Sequence, residues 1–551
     1  MKTVLTLINL LLIFLYSFTG YAGESGRESC RTFWQRTSAN GNYNFSKHSR
    51  ETLQGNLGYN DYASDAKRDK CIKDWTILVY MAADNDLSPY AYWDLHEMES
   101  QIKGELNLGA STDNVDVVVE LDTLRRDGIK RMHMFQMDSP YQATLKKDDF
   151  DSKAPRFIKS PVVEVISEDD KVSTSKRFSK FLEWGVKAYP SRKYMVIVWG
   201  HGEGFIGRRG DQSINLAEKN DVISNSLTSQ FFDEESFQFE AFSELPDAFV
   251  FPLAKPFGGV AFDHSDKSYL TIPDIANSLK SVQESQLKGE KVDILAFDAC
   301  LMQSLEVLSE LSSSTDFLVG SNQIQNYLGM PYRSILDQVN RGVTPVELAK
   351  QLPELTKKSW SEFGYQRQAD AKGFETFTMS SVSSWHVQQV IVPELQKVSE
   401  LLLDYLDEAS YRKSELLFLI ENAPRFQGET IDLGLFYGLV EQLLWQERLS
   451  GSETKLSGEL RRMVAKAGQG VQESTLSAAF GPLYYDSSIR PEKSYLLGFF
   501  KATSVWLPKS KKLYKLRINE MGESLLHQDV STWNRVLNSL YEEDLFDLGG
   551  L

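Results

Sequence analysis

Positive charge is in short supply in this chain: 60 Lys and Arg stand against 76 Asp and Glu, a formal net charge of −16. A phosphate-binding surface is therefore not the expected use of the fold, and no RRM, helix-turn-helix or zinc-finger pattern is present. No HExxH, CxxC, Walker or GxSxG signature occurs either, which sets aside the common zinc-peptidase, dithiol, nucleotide-hydrolysing and serine-hydrolase readings. The glycines of "HGEGFIGRRG", from His201 on, lack the spacing of a phosphate cradle. Past the N-terminus no segment is long and apolar enough to span a bilayer, and there is no internal repeat or low-complexity tract. What remains is 551 residues, 42% hydrophobic and 25% charged. That is ordinary globular composition with room for a large core and about two to four domains.

The N-terminus, "MKTVLTLINLLLIFLYSFTGYAGES", runs from Lys2 through an apolar stretch, Val4 to Phe18, to small residues around Gly20 and Ala22. This is the order of a secretory signal, with cleavage after Ala22, so residues 1–22 are expected to be a signal peptide. The run is short for a membrane span of ~20 residues. No cysteine ends it, which argues against a lipoprotein anchor. The mature chain is expected to be soluble and exported, periplasmic or extracellular. Only three cysteines are present, Cys30, Cys71 and Cys300. In an oxidising compartment an even pair tends to close. Cys30 and Cys71 flank a polar segment, and whether they pair is left open by the sequence. Cys300 is the odd one, at the end of an apolar run.

Residues 23–70 are rich in Ser, Asn, Gly and charge without a sustained period, and read as an irregular extension. From Trp75 the texture changes. "WTILVYMAADNDL" is a continuous apolar strand opening into a polar loop, "NVDVVVELD" is another buried strand, Val115 to Leu121, and "KRMHMFQM" alternates as a half-exposed strand should, in a hairpin introduced by Asp127-Gly128. "LSPYAYWDLHEMESQI" reads as a helix with Ser88 as N-cap and Pro89 at its first position. Strands apolar on both faces, alternating with helices, predict an α/β fold: a mostly parallel sheet over residues 71–390 with helices on both faces. Residues 213–257 read as a loop-like acidic insert, and residues 391–551 as a C-terminal α+β region. "ETIDLGLFYGLVEQLL" there reads as helical and "SYLLGFFKATSVWLP" as two strands.

In parallel sheets, functional groups gather beyond the carboxyl ends of strands. "YMVIVWGHGEGF" delivers His201 to such an end, between glycines, and "VDILAFDACLM" delivers Cys300 to another. Asp84 and Asp86 follow the first strand. A thiol near pKa ~8.5 is a poor nucleophile until an imidazole stabilises its thiolate. The same imidazole then hands a proton to a leaving amine. The Gly202 amide, with the amide of Cys300 at the start of a helix, would face a developing oxyanion, and the helix N-terminus would favour the thiolate. Taken singly, the histidine is more often a hydrogen-bonded strand-end residue, and the cysteine a small core residue; it is their matched placement that favours chemistry.

"VWGHGEGF" and "DILAFDACLMQSLEV" resemble the His-Gly and Asp-Ala-Cys motifs of the clostripain family of cysteine peptidases. "ILVYMAADNDL", "GGVAFDHSDKSYLTIPDIANSL", "GMPYRSIL" and "TIDLGLF" extend the resemblance over roughly Trp75 to Leu507. It implies a caspase-like fold, related to gingipains, legumains and caspases. It further implies a dyad without an obligatory third member, His201 as general acid/base and Cys300 as nucleophile, working through an acyl-enzyme on protein or peptide substrates. Asp298 is implied to line the primary pocket and to favour Arg or Lys before the scissile bond, against an alternative reading as a helix N-cap. The chain departs from the family at "SNQIQNYLGMPY", where Asn322, Gln323 and Leu328 stand at positions where relatives often carry acids.

The long separation of His201 and Cys300 suggests maturation by self-cleavage between them, with Arg208, Arg209, Lys219 and Lys255 as candidate cut points. No cofactor or metal is required by this chemistry. Asp84, Asn85 and Asp86 offer three oxygen-bearing side chains, fewer than the 6–8 ligands Ca²⁺ takes, so loop and cap duty is the stronger reading. The competing functions are a catalytically silent binding module of the same fold, and a transamidase in which an amine replaces water at the acyl-enzyme.

Overall fold

"KDWTILVYMAA" is apolar at nearly every position, so burying one face cannot satisfy it, and it forms a central strand covered on both sides. The protein is represented by a computed structural model that describes residues 72–100, 110–112, 114–124, 128–136, 158–167, 172–205, 259–266, 268–325, 329–360, 377–426, 429–481, 501–522 and 524–541. The expected signal peptide, the N-terminal extension, Cys30 and Cys71 lie outside the described residues. So do the insert at 213–257, its candidate cut points, and Leu328.

In chain order the strands among the described residues begin with β1 (Lys73–Ala83), β2 (Val115–Thr123), β3 (Ile129–His133), β4 (Val162–Ile166) and β5 (Ser191–Trp199). Next come β6 (Val260–Asp263), β7 (Ser268–Leu270), β8 (Val292–Asp298) and β9 (Thr315–Gly320). The last are β10 (Thr378–Ser383), β11 (Thr430–Asp432), β12 (Thr475–Phe480) and β13 (Ser504–Trp506). Nine of them form one sheet in the order β12-β10-β9-β8-β5-β1-β2-β3-β4. Its centre, β9-β8-β5-β1-β2, is parallel throughout, and the antiparallel strands sit at the two flanks. The expected mostly parallel sheet is thus observed, and the hairpin partner of β2 is β3.

Alternate residues of β1 face opposite layers. Leu78 and Tyr80 pack with Phe178, Phe181 and Leu182 of α2 (Thr174–Ala188) and with Ile275 and Leu279 of α3 (Ile272–Ser285). Ile77, Val79 and Met81 pack with Leu95 and Met98 of α1 (Ser88–Glu99). Helix α1 starts at the expected place, but its N-cap is Leu87, with Ser88 and Pro89 inside the first turn. Helix α3 starts at a capping box in "TIPD", where Thr271 and Asp274 satisfy each other's backbone N–H groups. Further along, α4 (Leu305–Leu311) follows β8, and α5 (Tyr332–Asn340) and α6 (Pro345–Lys358) cover the α1 face.

The C-terminal region builds onto this core. Helices α7 (Val392–Asp407), α8 (Ser410–Glu421), α9 (Leu433–Ser450) and α10 (Lys455–Ser474) share one apolar cluster with β5 and β8, and β12 completes the sheet edge. "ETIDLGLFYGLVEQLL" is helical only from Leu433. Its start is the short strand β11, because Asp432 caps α9 by accepting from Gly434 and Leu435 N–H. The described part of "SYLLGFFKATSVWLP" holds β13, which pairs with β11. Asp432 also accepts from the backbone N–H groups of Lys501 and Ala502, so one buried carboxylate ties the start of α9 to the approach to β13.

Asp432→Ala leaves those buried donors without their acceptor and is expected to destabilise the protein by about 3–5 kcal/mol. A chemical denaturation curve checks this, and a midpoint unchanged from wild type would show that the donors find other partners.

Candidate active site

β5 and β8 are neighbouring parallel strands with Trp199 opposite Asp298, and Gly200 N–H donates to the Asp298 carbonyl at 3.2 Å. Two residues past that last matched pair lie His201 on one strand and Cys300 on the other. The strand ends meet closely. A Cβ on Gly202 would lie 2.3 Å from the Cys300 carbonyl oxygen and 3.1 Å from its nitrogen, so no side chain fits there.

The histidine loop is held by β6 from the other side. Ala261 N–H donates to the His201 carbonyl at 3.0 Å, Glu203 N–H to Gly259 at 2.9 Å, and Gly259 N–H to Gly204 at 2.8 Å. In this antiparallel pattern Gly202 faces Val260 as a non-hydrogen-bonded pair, so its own N–H points away from β6. Arg517, buried on α11 (Lys511–Met521), donates to the Phe205 carbonyl at the end of the same loop.

Cys300 is half-buried in a turn, with Leu301 in the left-handed region at φ 63°. The Gln325 N–H donates to its Sγ at 3.3 Å, and Leu301 N–H to the Gln323 carbonyl at 3.3 Å. The expected helix start at Cys300 is not observed. Helix α4 begins at Leu305 with Ser304 as its N-cap, accepting from Val307 N–H, because Ser304 offers a side-chain cap that Cys300 lacks. The thiol therefore takes a backbone N–H from the 321–325 loop rather than a helix N-terminus. The N-cap alternative for Asp298 falls for the same reason.

Asp86 is the neighbour that the sequence reading assigned to loop duty. Its Oδ1 lies 2.6 Å from His201 Nε2, with the two side chains 44% and 31% exposed. Burial pushes the Asp86 carboxyl up, but the hydrogen bond and charge of His201 outweigh it and hold the group below the usual carboxylate range. The loop is fixed by Asn85, whose side-chain amide donates to the Ala82 and Phe262 carbonyls, each at 2.8 Å. His264 lies over His201, ring centroids 6.5 Å apart and 13° from parallel. The signal available in the sequence was the position of Asp86 at the end of a strand, like His201 and Cys300.

Asp84, Asn85 and Asp86 do not converge. Asn85 turns inward, Asp86 meets His201, and Asp84 accepts from Ser265 Oγ at 3.0 Å. Asp84 lies near Asp122 and Asp263 instead, where the Arg177 guanidinium donates to Asp122 and, at 3.1 Å, to Asp263. Asp298 lies just below Cys300 and is 5% exposed. Its Oδ2 accepts from Met330 N–H at 3.0 Å and Tyr332 Oη at 2.8 Å. Burial pushes its carboxyl up to about 6 against these two bonds. Gly329, at φ 62°, closes over it, and a Cβ there would come within 2.5 Å of Oδ2. Asn322 and Gln323 are buried and serve the framework: Asn322 Oδ1 accepts from Ser504 Oγ, and Gln323 Oε1 from Ile324 N–H.

Residues 79–220 and 254–437, more than half of the chain, match the clostripain family. A search of curated proteins gives no match. The solved structure of an inactive zymogen C11 protease from Parabacteroides distasonis is similar, with 15% identity and a TM-score of 0.50 over 83% of this chain and 98% of that one. A secreted C11 cysteine protease from Bacteroides thetaiotaomicron, "iotapain", is similar with 12% identity and a TM-score of 0.50, over 83% of this chain and 99% of that one. At such identities these structures speak for the fold, a mostly parallel sheet between helical layers. Over the matched residues, the chain belongs to the clostripain family and is a cysteine-type endopeptidase.

Proposed function

We propose that this protein is an exported endopeptidase in which Cys300 is the nucleophile and His201 the general acid/base. The observation that carries this reading is the parallel pairing of β5 and β8, which brings the two residues to adjacent strand ends. The Cys300 proton passes to the His201 imidazole, and the sulfur attacks the substrate carbonyl carbon, with the carbonyl electron pair moving to oxygen. The Gly202 and Cys300 N–H groups face that oxyanion. Collapse breaks the C–N bond, the imidazolium donates its proton to the departing amine, and a thioester remains. Water then attacks the thioester, giving its proton to His201, and the carboxylic acid leaves as the thiol is restored. Water as acceptor makes this a hydrolase; transfer to an amine is the competing outcome.

Asp298 is proposed to receive an Arg or Lys side chain before the scissile bond, through the oxygen not taken by Met330 and Tyr332. No metal is needed for any of these steps. Export is supported by the N-terminal signal pattern, and no helix among the described residues is long and apolar enough to cross a membrane. The similar protease named secreted is in keeping with export. Maturation by self-cleavage between His201 and Cys300 is supported by the similar structure named a zymogen. The pairing of Glu203 and Gly204 with Gly259 adds to it, since it fastens both flanks of the insert and would survive a cut within it.

Cys300→Ala and His201→Ala are each expected to lower kcat/KM on fluorogenic peptides by more than about 10³-fold. The Cys300→Ala protein should also stay one chain on a denaturing gel where the wild type becomes two. Full activity in either variant ends the assignment. Asp298→Asn is expected to cost roughly 10–100-fold on Arg and Lys peptides while leaving peptides with an uncharged residue at that position little changed. Because the Asp298 carboxyl sits at about 6, wild-type preference for Arg over Leu should fade as pH drops from about 7 to 5 and the carboxylate takes up its proton. A pH-independent preference would place the basic side chain elsewhere. Dialysis against a chelator should leave the rate within about twofold, and a loss restored by Ca²⁺ would show a metal requirement.

A further inference from the structure

Three neighbouring strands, β1, β5 and β8, end at one rim of the sheet and deliver Asp86, His201 and Cys300 in that order. We propose that Asp86 is the positioning residue of His201: it fixes the imidazole through Nε2, turns Nδ1 toward the thiol, and stabilises the imidazolium that pairs with the Cys300 thiolate. The inference rests on the peptidase reading and adds a third member to the dyad.

The pair is built rather than incidental. The Asp86 to His201 separation is 2.6 Å, at the short end for a charge-assisted bond. Asp86 has little freedom, because Asn85 is fully buried and anchors the loop on both sides, to β1 through Ala82 and to β6 through Phe262. Leu87 N–H closes the loop onto Asn85 Oδ1 at 2.9 Å, and α1 follows directly. The histidine is held as firmly by the β6 bonds to its own carbonyl and to Glu203. An exposed ion pair between two mobile side chains is worth little. Here both backbones are fixed before the side chains meet, so the bond serves to select a ring orientation and a tautomer.

The other charged groups near the ring place the Asp86 contribution in context. His264 stacks over His201, and burial, with the charge of His201, lowers its readiness to protonate against the opposing charges of Asp86 and Asp263. Asp263 faces His264, and Asp84 is bonded to Ser265 and grouped with Asp122 and Asp263 near Arg177. Asp86 is the carboxylate bonded to the ring itself.

The test uses full-length exported protein as wild type, Asp86→Asn, Asp86→Ala and Asp86→Glu, with two readouts. The first is peptide hydrolysis against pH. Asp86→Asn is expected to lower kcat by roughly 10²-fold with KM changed less than about threefold, and to move the alkaline limb of the profile to lower pH. Asp86→Glu should recover part of the rate. The second readout is independent of substrate: the rate of alkylation at Cys300 by iodoacetamide against pH, followed at that peptide by mass spectrometry. In wild type this rate should rise below the ordinary thiol range, and in Asp86→Asn and Asp86→Ala its rise should shift upward in pH. Unchanged kcat and an unchanged alkylation profile in Asp86→Asn would overturn the inference. A uniform loss in all variants with no shift in either profile would make Asp86 a purely structural residue, which also overturns it. Should wild type hydrolyse no peptide at all while the alkylation shift is still seen, the peptidase reading fails and the Asp86–His201–Cys300 relay stands.

Discussion

The parallel pairing of β1, β5 and β8 is the constraint from which the rest of the site follows. Parallel strands present all their carboxyl ends at one rim, so three loops far apart in the chain open side by side. The register is fixed by burial on both faces: a slip of one residue would exchange the sides on which Val196 and Ile197, or Leu295 and Ala296, are packed. With that register set, Trp199 opposes Asp298, and the next two residues of each strand bring His201 and Cys300 to the same height. The glycine at 202 then permits a backbone approach that any side chain would prevent.

Much of this arrangement was legible in the sequence, because its signals are local. Largely apolar runs such as Trp75–Ala83 and Val115–Leu121 read directly as strands buried on both faces, and His201 and Cys300 were visible at the ends of two more. Features that depend on who sits beside whom were not legible. Asp86 looks like one more acid in a polar loop until β1 and β5 are seen to be neighbours. The helix expected at Cys300 failed because apolar spacing in "CLMQSLEV" is satisfied equally by a helix beginning at Leu305, and the sequence does not say that Ser304 takes the cap. Asn322 and Gln323 stand where relatives often carry acids, yet here they bond Ser504 and Ile324 and support the backbone loop that reaches Cys300 Sγ.

The C-terminal region read from sequence as an extension, but its contacts make it a brace for both functional loops. Arg517 holds the end of the histidine loop through Phe205 and is itself held by Glu429. Ser504 N–H donates to the Gln303 carbonyl in the turn after Cys300, while its hydroxyl donates to Asn322. Glu306 on α4 accepts from Trp506 N–H. Cys300 sits in a turn with a left-handed residue at 301 rather than in a helix, so its rigidity is supplied by packing from a distant part of the chain.

Two carboxylates at the same rim of the sheet face opposite environments, and this separates what they can do. Asp298 is largely buried beside Gly329, and burial pushes its carboxyl up to about 6. Asp86 is partly open to solvent and is held below the usual range by its bond to His201. A carboxylate whose charge is costly gains most from a cation that arrives to neutralise it, which supports the proposed role of Asp298 toward a basic side chain. A carboxylate held below its usual range suits the opposite task, a steady partner for the imidazole in the proposed cycle. Exchanging the two environments would leave the histidine with a partner whose charge fades in mild acid, so the difference in burial suits the two carboxylates to different proposed tasks.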